Sequence, residues 1–306
     1  MYDVIVIGGG PAGLSAALLL GRACRSVLVI DSGEPRNHAA RQVNGYLGVE
    51  GARPQDHRAR GHQQLAGYGV VCVTDRVVDA ERVPDELLVT IYRVNCVSGT
   101  NYIARKLLFA TGVRDHLPEI RGLADCYGIS VHHCPYCDGW EHRGQRLLAL
   151  GATIETARGL AQLLLGWSTR ISLLTNGHPL TAADQQSCQQ LGIQHQEQRL
   201  QTLVHEDGKL RQVIFENQTS LDADALFFAS GSEPASDVPR RLGCMTKEKG
   251  HVETTSKQAT SVPGIFLAGD ADGDVQFAIV AAGEGATAAT AINKELNDED
   301  CTRVGS

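Results

Sequence analysis

At 306 residues the chain is long enough for about two domains, and 42% hydrophobic with 21% charged residues suits a folded core rather than a disordered chain. A net charge of −7 argues against nucleic-acid binding, which needs basic surface. No apolar run reaches the roughly 18 residues of a membrane span. The nine cysteines, odd in number and scattered, do not suit a small secreted disulfide framework, so a reducing cytoplasm is the expected compartment.

The first element is the apolar, β-branched run YDVIVIG. It lacks a basic leading region and runs into glycines, so it reads as a buried parallel strand and not as a signal peptide. Gly8, Gly10 and Gly13 follow in G-x-G-x-x-G spacing, then a small-residue helix, then the strand SVLVID ending at Asp31. Gly8 permits the tight turn, Gly10 lets a pyrophosphate approach the backbone, and Gly13 lets the helix pack close to the strand. The helix N-terminus offers free N–H groups to the phosphates. Asp31 stands close to the distance, about 20 residues on, of the acid that hydrogen-bonds ribose hydroxyls. Strand, glycines, helix, strand and acid together predict a dinucleotide site. The alternative is a bland glycine turn.

Two distant stretches bear on which dinucleotide it is. KLLFATG places Thr111 and Gly112 after an apolar strand, and GIFLAGD places Gly269 and Asp270 after another. Here the chain resembles the two-dinucleotide flavoprotein disulfide reductases, in which the first glycine motif and the late Gly-Asp both hold FAD. The resemblance implies an FAD site made of Gly8, Gly10, Pro11, Ala12, Gly13, Asp31 and Ser32. Arg36, Asn37, Thr111, Gly112, Gly269 and Asp270 would add to it, with Gln276, Phe277 and Ala278 at the next helix. A plain helix N-cap is the alternative for Asp270. The FAD domain is then split over residues 1–114 and 233–306, with an inserted domain over 115–232.

Within the insert, QRLLALGATIETARGLAQLLLG reads as strand, turn and helix, while TRISLLTNG and ADALFFASG read as further strands. The predicted fold class is therefore α/β: two Rossmann-like dinucleotide-binding domains, three-layered, the second inserted into the first. Ahead of the insert's first strand stands Cys134-Pro135-Tyr136-Cys137-Asp138-Gly139. A C-x-x-C at a helix N-terminus lowers a thiol pKa and exchanges through mixed disulfides. A zinc half-site would need two more ligands, and no second C-x-x-C exists. A structural disulfide is the other alternative. His132 and His133 read as polar loop residues or electrostatic neighbours of a thiolate, with His133 also open as a thiol-activating base. Trp140 reads either as a lid over a flavin or as packing.

The order of glycine fingerprint, ATG, C-x-x-C-D-G and Gly-Asp resembles the low-molecular-weight thioredoxin reductases along nearly the whole chain. The resemblance implies that Cys137 lies against the flavin, Cys134 meets the substrate, and Asp138 donates and accepts the proton. It also implies a homodimer and a dithiol or disulfide partner such as a thioredoxin-like protein. The chain departs from that family in three places. The second glycine turn reads Gly151, Thr153, Thr156, and a branched Thr153 would crowd a pyrophosphate. The strand after it ends in Thr175, Asn176 and Gly177, and no Lys or Arg occurs between Arg170 and Arg199 to meet a 2′-phosphate. Where those reductases carry Arg-Gln-Ala, Gln276-Phe277-Ala278 stands, without the cation. Each missing charge-assisted phosphate contact costs about 1.5–3 kcal/mol, so efficient NADPH use is not expected. These losses resemble two branches: thioredoxin-reductase-like dithiol oxidases that pass electrons to oxygen, and cyanobacterial diflavin-linked disulfide oxidoreductases with a second FAD in the NADPH groove.

The expectation is an FAD-dependent dithiol/disulfide oxidoreductase working through Cys134–Cys137 in the dithiol-oxidising direction, with a second FAD or oxygen as acceptor and no metal. The alternatives are an NADPH-dependent thioredoxin reductase and, from another class, a non-enzymatic flavin redox sensor.

Overall fold

The computed structural model describes residues 1–83 and 91–304. Residues 84–90 and 305–306, which the sequence reading places in the two parts of the FAD domain, lie outside the described residues. The chain forms two compact units, one of residues 1–38, 46–114 and 233–306, the other of residues 39–45 and 115–232. Residues 39–45, read from sequence as part of the first domain, pack with the second unit. No signal in that segment marked the excursion.

The first unit opens with β1 (Tyr2–Ile7), α1 (Pro11–Arg22), β2 (Val27–Asp31), α2 (Pro54–Ala66) and β3 (Val71–Thr74). Then come β4 (Val77–Val83), β5 (Ile91–Cys96), β6 (Asn101–Phe109) and the short β7 (Val113–Asp115). The sheet runs β3-β2-β1-β6-β5-β4, parallel from β3 to β6, with the late strand Ile265–Leu267 parallel to the end of β6. The strands from β4 to β6 pair antiparallel. β1 is apolar and buried from Val4 to Ile7 because both faces are covered there: Val4 and Val6 pack with α1 and the C-terminal helix Ala278–Val304, Ile5 and Ile7 with the opposite layer. Gly285 lets that helix approach α1, since a Cβ there would come 2.0 Å from the Ala12 carbonyl oxygen.

The second unit contains α3 (Leu123–Cys126), β8 (Val131–His132), α4 (Pro135–Asp138), β9 (Leu147–Gly151), α5 (Ile154–Leu164), β10 (Ile171–Leu174), α6 (Ala182–Leu191) and β11 (Gln194–Gln196). Its remaining strands are β12 (Leu200–Glu206), β13 (Lys209–Phe215), β14 (Ser220–Asp222) and β15 (Ala225–Ala229). A parallel sheet runs β11-β10-β9-β15-β8, and a separate antiparallel sheet runs β12-β13-β14. The parallel sheet packs Leu148, Leu150, Leu226 and Phe228 against Leu203, Val213 and Phe215 of the antiparallel one, and its other face carries α5 and α6. The result is a three-layered α/β unit. The antiparallel layer went unread in the sequence, although Asp207-Gly208 marks a two-residue hairpin. Both residues have positive φ, +51° and +77°, as a type I′ turn requires.

Candidate functional site

In the first unit the fingerprint residues converge. Gly8 has φ +111°, and a Cβ on it would lie 2.3 Å from the Ala110 carbonyl oxygen, so the turn rests against the end of β6 next to Thr111. A Cβ on Gly13 would meet the Gly8 carbonyl at 1.9 Å. Gly10 caps α1 with no side chain satisfying its N–H groups, and the space a Cβ would take there is open. Gly269, φ +82°, sits beside Ala12, and its N–H donates to Glu284 Oε2 at 2.6 Å. Arg36 Nη1 donates to Asp270 Oδ2 at 2.8 Å, tying the turn after β2 to the late Gly-Asp. Gln276 and Phe277 precede the C-terminal helix, which Ala278 opens. Ser32, Asn37 and Gly112 are partly exposed along the same turns.

An open, uncapped helix N-terminus, a glycine cradle and a strand-end acid fit the pyrophosphate and ribose of FAD. Two partners were missed from sequence. Arg58 of α2 holds Asp31 Oδ2 at 2.5 Å, so the expected ribose-binding acid is itself in an ion pair. Burial and then nearby acids, Asp272 first, raise the Glu284 carboxyl. Neither contact leaves a spacing signal, because each is made by tertiary packing.

In the second unit Cys134 and Cys137 form a disulfide. Cys134 caps α4: the Cys137 N–H donates to Cys134 Sγ at 3.2 Å, and Asn44 Nδ2 donates to the Cys137 carbonyl at 2.9 Å. Gly139 lets the helix end lie on Trp167, where a Cβ would stand 2.9 Å from the indole. Tyr136 and Trp140 are 64% and 65% exposed, the latter under the Arg143 guanidinium at 4.1 Å, so Trp140 is not core packing in this unit.

His132 corrects the loop assignment. It lies in β8, 5% exposed, paired in register with Phe227 of β15. Its Nδ1 is 3.4 Å from Asp138 Oδ1, and its Nε2 is 2.9 Å from His142 Nε2. Burial, then His142 and His133, push the His132 imidazole down to about 3. Burial and then Glu141 push the Asp138 carboxyl up to about 7. The two therefore meet at neutral pH as a neutral ring and a carboxyl that can hold or release its proton, not as a fixed ion pair. His133, beside Cys134, faces the Tyr127 hydroxyl at 3.3 Å, and that hydroxyl donates to Asp115 at 2.8 Å.

The second glycine turn is closed by its own side chains. Thr153 caps α5, with its Oγ1 accepting from Thr156 N–H at 3.2 Å while Thr156 Oγ1 accepts from Thr153 N–H at 3.0 Å. Arg158 is paired with Asp184. At the end of β10 the structure supplies a cation that local sequence did not. Arg199 packs over Gly177, where a Cβ would come 2.6 Å from its Cγ.

Two dinucleotide-type α/β units, one carrying the glycine cradle and the other a C-x-x-C disulfide beside an acid, define a flavoprotein disulfide oxidoreductase of the thioredoxin reductase type. The chain belongs to the family described as pyridine nucleotide-disulphide oxidoreductase, whose pattern matches residues 2–285. It is 32% identical to a probable thioredoxin reductase of Arthroderma benhamiae, over 97% of this chain and 81% of that one. Among solved structures it resembles HlmI, with a TM-score of 0.94 and 33% identity over 99% of this chain and 95% of that one. It also resembles a putative thioredoxin reductase of Bacillus anthracis, with a TM-score of 0.92 and 29% identity over 98% and 100%. FAD is the cofactor this family implies. Among the described residues no helix is long and apolar enough to cross a membrane.

Proposed function

We propose that this enzyme oxidises dithiols through Cys134 and Cys137 to FAD and does not draw electrons from NADPH. The carrying observation is the N-terminus of α5. Where a nicotinamide dinucleotide would place its pyrophosphate, two backbone N–H groups already bond to Thr153 and Thr156. The uncapped N-terminus of α1 is the contrast. Opening that box forfeits a cap worth about 0.5–2 kcal/mol before any phosphate contact is made. The same closure opposes a second FAD, so the acceptor we favour is oxygen.

A substrate thiolate attacks Cys134 Sγ, the Cys134–Cys137 bond breaks, and Cys137 leaves as a thiolate. The second substrate thiol then displaces Cys134 and closes the substrate disulfide. Asp138, with its raised pKa, takes the thiol proton. Bound FAD would receive the electron pair and pass it to oxygen, giving hydrogen peroxide. The first unit serves as the FAD domain, held by Gly8, Gly10, Gly13, Asp31, Gly269, Asp270 and their neighbours, and the second as the redox domain. The enzyme works as a cytoplasmic homodimer. Its relatives' names point to a thioredoxin-like partner, and exposed Tyr136 and Trp140 beside the pair give it an aromatic docking surface.

One observation favours the NADPH-dependent alternative: Arg199 at the end of β10 stands where a 2′-phosphate would need a cation. Oxygen uptake separates the two readings. Dithiothreitol should yield one peroxide per disulfide formed, with NADPH inert. Uptake driven equally by NADPH would favour the alternative, and bound flavin with no turnover from either donor would favour a redox sensor.

A further inference from the structure

Beside Asp138 the second unit holds a cleft of about 460 Å³, whose wall also includes His132, His142 and Gln145. His132 is buried and His142 partly so, and both rings pack against Phe227, with centroids 5.5 and 6.2 Å away. Nothing in the exchange chemistry above uses either histidine. Yet they lie end to end: Asp138 Oδ1 stands 3.4 Å from His132 Nδ1, His132 Nε2 hydrogen-bonds His142 Nε2 at 2.9 Å, and His142 Nδ1 hydrogen-bonds Gln145 Oε1 at 2.9 Å.

Building on the dithiol reading, we propose that His132 and His142 form a proton relay from Asp138 to the cleft, with Gln145 orienting its outer end. With the Gln145 amide oxygen turned toward His142, the chain has one polarity. Gln145 Oε1 only accepts, so His142 carries its proton on Nδ1 and accepts at Nε2. His132 then donates from Nε2 and presents a lone pair at Nδ1 to Asp138. A proton arriving on Asp138 moves to His132 Nδ1, the Nε2 proton of His132 moves to His142, and the Nδ1 proton of His142 leaves to the cleft. The chain then has the opposite polarity, and the Ile129 backbone hydrogen-bonds the His132 ring. The Gln145 amide turns over to match. Both polarities therefore have partners.

The proton bookkeeping needs such an exit. A dithiol carries two protons into the exchange. One stays on the Cys134 thiol, Cys137 leaves as a thiolate, and one proton must go to solvent. The charged groups around the chain are His133 beside His132, Glu141 beside Asp138, and Arg41, Lys209, Arg211 and Asp224 along the cleft. The cations at the cleft favour proton departure. Among the described residues no group of three His, Cys, Asp or Glu is placed to hold a metal.

The test is rapid-quench reduction of the FAD-loaded enzyme by dithiothreitol. Without oxygen, new Cys134 and Cys137 thiols are trapped with iodoacetamide and counted by mass, and flavin bleaching is followed alongside so that electrons passed on to FAD are counted as well. His142→Ala should slow thiol appearance tenfold or more, and free imidazole should restore it in proportion to its neutral form, leaving wild type unaffected. His142→Gln, which keeps a hydrogen-bonding side chain, should be slow as well. In wild type, mixed H2O–D2O solvents should give a bowed rate dependence, since several protons move together. Wild-type rates in both variants, a loss imidazole does not restore in folded protein, or a linear solvent dependence would overturn the relay. If dithiothreitol fails to reduce wild type at all, the dithiol reading itself falls.

Discussion

Asp138 and His132 carry opposite pKa shifts for the same reason: burial disfavours the charged form of each. For Asp138 the consequence is kinetic. In the proposed mechanism the base is its carboxylate, so dithiol reduction should accelerate as pH rises through about 7. Asp138→Asn should lower the rate about 100-fold and erase that inflection; a pH–rate profile of the single reduction step checks both. For His132 the consequence is thermodynamic. Its folded-state pKa of about 3 lies below the 6.5 of the unfolded chain, so the unfolded state binds the proton first and stability falls as pH drops from 6.5 toward 3. His132→Gln should flatten that limb of the stability curve, measured by urea denaturation at pH 7 and pH 4.5.

At the scale of elements, the comparison that matters is between two helix N-termini built on similar strands. α1 begins at Gly10 with nothing capping it, whereas α5 begins at Thr153 with a reciprocal cap. Thr153→Ala should therefore cost about 1 kcal/mol of stability, read as a shift in denaturation midpoint, while no residue at α1 is available to make such a change. The packing of α1 against the C-terminal helix makes the converse prediction. Gly285→Ala places a methyl 2.0 Å from the Ala12 carbonyl oxygen. Forcing the helices apart should cost about 1–3 kcal/mol and loosen FAD retention, measured by flavin release on dilution. An unchanged melting temperature and flavin content in that variant would contradict the close approach.

The same scale explains what was legible. The glycine turn, Asp31 at the end of β2 and the cysteine pair are local patterns, each set by the chemistry of a turn or strand end, and they read from residues alone. The β12–β13 hairpin was equally local, announced by Asp207-Gly208, and was overlooked. What sequence could not supply were contacts between distant segments: Arg58 on Asp31, Asn44 on the Cys137 carbonyl, Arg199 over Gly177. The loop reading of His132 fails because a histidine beside a loop motif gives no sign of burial; pairing of β8 with β15 buries it.

For the whole molecule, family and fold agree on a thioredoxin reductase-like flavoprotein disulfide oxidoreductase, and the closed turn at α5 is what our proposal of a dithiol donor rests on. Purified protein should hold one FAD per chain even in excess FAD, because the capped turn leaves no second pyrophosphate site. A ratio near two after desalting would contradict this. The most direct test of the central claim is anaerobic rapid mixing of the oxidised enzyme with dithiothreitol and, separately, with NADPH, following flavin absorbance. Dithiothreitol should bleach the flavin completely in wild type and leave Cys137→Ser oxidised, and NADPH should bleach it slowly or not at all. Fast, saturable bleaching by NADPH at micromolar concentration would contradict the account.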